Sequence, residues 1–169
     1  MTKPILIFGY GNLSRGDDAL GPLLLESIQE RIETQTIEIL SDFQLQVEHA
    51  LDLEGRQLVL FVDASVSCTT NFGFMRLQPI KDSSYTTHAM SPASVLHVYQ
   101  SIKKQAPPPC FLLSIQAFRF GLGTAMSQQA TKNLQLAVSF AEELLNNAEL
   151  DFWQQQASLP EVSKEPDLA

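Results

Sequence analysis

Short apolar runs alternate along the chain with longer stretches whose hydrophobic residues recur every three or four positions. Ile5-Leu6-Ile7-Phe8 is a buried strand, and it runs straight into a turn carrying Gly9, Gly11 and Gly16. Over residues 17–33, Leu20, Leu23, Leu24, Ile28 and Ile32 share one helical stripe. Residues 36–40 (TIEIL) predict a second, β-branched strand, and residues 44–53 a short helix with Leu45, Val47, Ala50 and Leu51 as its apolar positions. The strongest strand signal is residues 57–64 (QLVLFVDA), whose core from Leu58 to Val62 is apolar without alternation. That is the pattern of a central strand covered on both faces.

Residues 71–77 (NFGFMRL) alternate, as an edge strand does, and are free to run antiparallel. After a loop at 79–87, Ser91-Pro92 reads as an N-cap with proline at the first helical position, opening a helix to Lys104. Pro107-Pro108-Pro109 stops it before a last strand at 110–117. A glycine-containing loop at 118–126 leads to Ser127, which caps a helix to Asn147 with Leu134, Ala137, Val138, Ala141, Leu144 and Leu145 inward. The order β-α-β-α-β-β-α-β-α predicts an α/β fold, a three-layer α/β/α sandwich with a mostly parallel sheet of about five strands. Residues 1–150 form one domain. The polar tail 151–169 loses periodicity and is expected to be poorly ordered beyond Trp153 unless that ring docks.

Composition narrows the function classes. With 169 residues, 44% hydrophobic and 18% charged, the chain belongs with globular proteins. A net charge of −8 excludes a basic phosphate track, so no nucleic-acid partner is expected. No apolar run reaches membrane-spanning length, and the strand begins directly after Met1-Thr2-Lys3-Pro4, so the expected location is the cytoplasm. Cys68 and Cys110 lack metal-type spacing and read as free thiols. No long uncovered apolar stripe stands out, which favours a monomer.

Ligands of open α/β sheets collect beyond the carboxyl ends of the strands. The first glycine turn is not a dinucleotide fingerprint, because Ser14 stands where the third glycine belongs. Asp17 and Asp18 instead place two carboxylates at the helix start. One suits the helix dipole as a cap, leaving the other for the crevice. Asp63 ends the central strand at the same edge, and His88 lies three residues before Ser91, where its loop can reach it. Two carboxylates and an imidazole suit Ni²⁺ or Zn²⁺ with coordination positions left open. His49 and His97 fall inside predicted helices as structural residues. A G-x-S-x-G elbow, a Walker lysine and H-E-x-x-H are all absent from the sequence.

Taken in order, these residues resemble the hydrogenase maturation proteases, which process the large subunit of nickel-iron hydrogenases. The resemblance rests on Gly9-Tyr10-Gly11-Asn12, on Asp17-Asp18 ahead of Gly21, on Val62-Asp63-Ala64, and on His88 before Ser91-Pro92 and Val95-Leu96. It spans residues 4–145. It implies three metal-contacting side chains, Asp18, Asp63 and His88, that engage nickel carried by the hydrogenase large-subunit precursor, with no permanently bound cofactor. Asp18 or Asp63 then acts as general base for cleavage of the C-terminal extension, and Gly9, Gly11, Asn12, Gln44, Arg119 and Gly121 border the substrate groove. Two departures stand out. Some members of the family have glutamate at the place of Asp18, and many carry a D-G-G-T-like stretch where this chain has residues 41–48 (SDFQLQVE). That stretch and the loop 118–123 (FRFGLG) are closer to the subgroup serving soluble cofactor-reducing hydrogenases. The competing readings are a peptidyl-tRNA-hydrolase-like enzyme and a non-catalytic Rossmann-type nucleotide-binding module.

Overall fold

Residues 2–81 and 90–158 are described by the computed structural model. Five strands form one sheet: β1 (Ile5–Tyr10), β2 (Ile37–Asp42), β3 (Leu58–Ser65), β4 (Phe72–Arg76) and β5 (Cys110–Gln116). Their spatial order is β2-β1-β3-β5-β4. The first four of these run parallel, and β4 closes one edge antiparallel to β5, as its alternating sequence allows. The chain leaves β1 toward β2 on one side and continues from β3 toward β5 on the other. The gap between β1 and β3 at their carboxyl ends is therefore the topological switch point.

Alternate residues of the central strands feed two cores. Ile5, Ile7, Leu58, Leu60 and Val62 face α1 (Leu20–Gln29), α3 (Gln128–Asn146) and α4 (Leu150–Ser158). Leu6, Phe8, Val59 and Phe61 face α2 (Pro92–Lys103) and a 3-10 helix at Val47–Leu53. This is the expected α/β/α sandwich. Helix α1 lies very close to the sheet. A Cβ on Gly9 would come within 2.8 Å of the Gly21 carbonyl oxygen, and one on Gly21 equally near that of Tyr10. Glycine at both places lets the helix rest directly on the strand ends.

Two expectations need correction. The stretch expected to be helical over 44–53 is a 3-10 helix that starts only at Val47, and the helix expected from residue 17 begins with a 3-10 turn at Gly16–Ala19. For the tail the docking condition is met: the chain continues as α4 through Ser158, and residues 159–169 lie outside those described. The cause is Trp153, which is fully buried, donates from Nε1 to the Leu144 carbonyl at 2.8 Å, and meets Phe111 edge-on at 5.4 Å. A ring of that size supplies the anchoring that the periodicity of the tail lacks. Trp153→Ala should therefore cost about 3 kcal/mol or more in unfolding free energy, read as a lowered midpoint in chemical denaturation.

Candidate active site

Asp63 is the sixth residue of β3, and strand pairing sets it opposite Ser114 of β5. On its other side the Tyr10 hydroxyl donates to Asp63 Oδ2 at 3.0 Å. The second oxygen, Oδ1, is buried and has no hydrogen-bond partner among the described residues. Burial pushes the Asp63 carboxyl up to about 6, against the pull of the Tyr10 and Ser114 hydroxyls and with a smaller push from the charge of Asp18. Burial and the same carboxylate hold the Tyr10 phenol well above its ordinary range, so it stays a donor.

The adjacent aspartates divide their work. Asp17 is fully buried, and its carboxylate accepts four hydrogen bonds. Oδ2 takes the Phe118 and Arg119 amides at 2.8 and 3.1 Å and the Ser127 hydroxyl at 2.9 Å, while Oδ1 takes the Ser127 amide at 2.7 Å. Burial alone would raise its pKa, but these four donors together hold it below the ordinary carboxylate value. Asp17 thus ties the first turn to the loop after β5 and to Ser127, the N-cap of α3. The structural carboxylate expected from the sequence is present, but it serves the start of a different helix from its own.

Asp18, half-buried, accepts the Asn12 amide on Oδ2 at 2.8 Å and lies near enough to Asp63 to raise its pKa. Gly11 makes that approach possible. Its φ is +149°, and any Cβ there would run into the Asp18 carbonyl. Gly11 lines a cleft of about 270 Å³ with Leu13, Pro22, Ser41, Asp42 and Phe43, where the Phe43 ring is 70% exposed. Asn12 bridges the turn, its side-chain oxygen accepting the Ser14 amide at 2.8 Å.

The other expected site residues have mixed placements. Gly9 is taken up by packing against α1. Gln44 is half-buried beside Leu45, whose carbonyl accepts the Met90 amide at 3.3 Å and so draws the start of α2 to this edge. Arg119 and Gly121 lie exposed on the loop after β5, which is clipped to the first turn by Asp17 N–H to the Arg119 carbonyl at 2.8 Å and Gly123 N–H to the Ser14 carbonyl at 2.7 Å. His88 lies outside the described residues. Among those described, no three His, Cys, Asp or Glu side chains group closely enough to hold a metal ion.

His49 is structural, as expected. Its Nδ1 accepts the Gln46 amide at 2.8 Å, its Nε2 faces Asp42 Oδ2 at 3.2 Å, and the ring packs edge-on against Phe8 at 4.6 Å. The sequence reading missed Tyr10 and Ser114 as neighbours of Asp63. Tyr10 had a signal, because the period of two that buries Leu6 and Phe8 on the α2 face puts residue 10 there as well.

No family model matches the chain, and neither does any curated protein. Solved structures do. The nickel-iron hydrogenase maturation protease HycI from Thermococcus kodakarensis KOD1 is 25% identical, with a TM-score of 0.65 over 86% of this chain and 94% of that one. The hydrogenase maturating endopeptidase HybD from E. coli is 21% identical, with a TM-score of 0.67 over 85% and 93%. A hydrogenase 2 maturation peptidase from a Thaumarchaeota archaeon is 21% identical, with a TM-score of 0.62 over 85% and 99%. This chain has their fold.

A carboxyl whose folded pKa lies above its unfolded value of about 3.9 destabilises the folded state as pH rises through that interval. For Asp63 the interval ends at about 6. Asp63→Asn removes the ionisation but keeps an oxygen for the Tyr10 hydroxyl. It should match wild type in stability near pH 4 and exceed it by about 2 kcal/mol at pH 7.5, as measured by denaturant unfolding at both values.

Proposed function

We propose that this chain is a hydrogenase maturation endopeptidase, which removes the C-terminal extension of a nickel-loaded large-subunit precursor. One observation carries the reading. In a chain with the fold of the maturation proteases, the switch point of the sheet holds a carboxylate on each side, Asp18 after β1 and Asp63 at the end of β3. The negative edge and the net charge of −8 disfavour the tRNA reading.

Peptide hydrolysis requires a base to take a proton from water, stabilisation of the oxyanion, and a proton for the departing amine. Asp63, its carboxyl pushed up to about 6 by burial, is matched to accepting a proton near neutrality and returning it to the amine. Asp18, held by the Asn12 amide, supplies the second acidic ligand toward the nickel that arrives with the substrate, and His88 supplies the third. Requiring that cation makes cleavage depend on correct metal loading. The cleft beside Gly11, walled by Leu13 and Phe43, accepts the extension, and the loop with Arg119 and Gly121, anchored by Asp17, borders the groove. The walls at residues 41–48 and 118–123 favour a precursor from a soluble cofactor-reducing hydrogenase in the cytoplasm.

The test is cleavage of purified nickel-loaded precursor by wild type and by Asp18→Ala, Asp63→Ala and His88→Ala. Wild type should release the extension, and each variant should be slower by about a hundredfold or more. Three variants that cleave like wild type would overturn the assignment of the site.

A further inference from the structure

Asp63 has its two oxygens in different circumstances, and the difference comes from one side chain. The Tyr10 hydroxyl occupies Oδ2 at 3.0 Å, while Oδ1 is buried without a hydrogen-bond partner among the described residues. The phenol is not a mobile surface group. Tyr10 is the last residue of β1, in register with Asp42 of β2, and its ring meets Phe8 edge-on at 6.2 Å. Phe8 is itself wedged between His49 at 4.6 Å and Phe61 at 6.1 Å. Strand pairing and aromatic packing therefore fix where the hydroxyl sits.

A carboxylate turns readily about its Cβ–Cγ bond, because that torsion is broad and roughly two-fold. Left alone, Asp63 could present either oxygen, or both, to an incoming group. We propose that Tyr10 is a positioning residue that holds Oδ2 and so fixes the rotation of the Asp63 carboxylate toward its ligand. This rests on the proposed function for the identity of the ligand, a cation held by the precursor or the water beside it. A fixed carboxylate orientation sets the direction from which a proton is taken. Second-shell support of this kind separates a carboxylate that is merely present from one held in a single productive geometry.

The experiment is Tyr10→Phe, which deletes the hydroxyl and keeps the ring against Phe8. In crystals of Tyr10→Phe, Asp63 should be rotated about Cβ–Cγ or occupy two orientations. With nickel-loaded precursor, Tyr10→Phe should lower kcat about tenfold, as loss of a hydrogen bond to a charged group does, with KM within twofold of wild type. A carboxylate unmoved in Tyr10→Phe overturns the proposal, and so does an unchanged kcat. If wild type itself fails to cleave the precursor, the proposed function fails, and the orientation of Asp63 in the variant crystals still decides the positioning role.

Discussion

The buried carboxylate of Asp17 is the constraint on which the rest of the site depends. It is the one charged side chain among the described residues that is fully removed from solvent. An isolated ionised carboxylate in that position would be strongly unfavourable, and four donors offset the loss of water. Those donors come from the loop after β5 and from the N-cap of α3, more than a hundred residues further along the chain. One anion therefore holds together the turn after β1, the far loop and the start of a helix. With Asp17 facing inward, the next residue along the 3-10 turn is directed to the other side, and Asp18 reaches the crevice.

Around that anchor the sheet edge brings together groups of opposite character. Asp17 is stabilised as an anion by donors, whereas Asp63 has a buried oxygen left unserved and is pushed toward its neutral form. The first arrangement favours the fold. The second costs stability and leaves a carboxyl able to exchange a proton near neutral pH, a pattern common where chemistry is done. Gly11 and Gly21 allow the first turn and α1 to approach the strand ends closely enough for Asp18 and Asp63 to feel one another.

Most of the architecture was legible because it is written in local pattern. The unbroken apolar run at Leu58–Val62 could only be a central strand, and the alternation around Phe72–Met75 marked the edge. The tail was not legible, since Trp153 is a single aromatic residue in a polar stretch and its partners Phe111 and Leu144 belong to other elements. Residues 47–53 show how similar spacings serve a 3-10 and an α-helix. In the site, Asp18 and Asp63 could be placed at one edge from topology alone. Which of two adjacent aspartates turned inward could not, because adjacency carries no information about donors in a distant loop. Tyr10 was readable from strand periodicity, but its pairing with Asp63 required knowing that β1 and β3 are neighbours in register.

The most direct measurement compares the unfolding free energies of Asp17→Asn and Asp18→Asn at neutral pH. The two substitutions are isosteric and adjacent, so they differ only in what each carboxylate does. Asp17→Asn leaves one acceptor oxygen among four donors and introduces an NH₂ beside them, so it should cost about 3 kcal/mol or more. Asp18→Asn keeps an acceptor for the Asn12 amide and should cost less than about 1 kcal/mol. Equal costs, or the larger cost at Asp18, would contradict the division of labour between the two residues on which this description of the site rests.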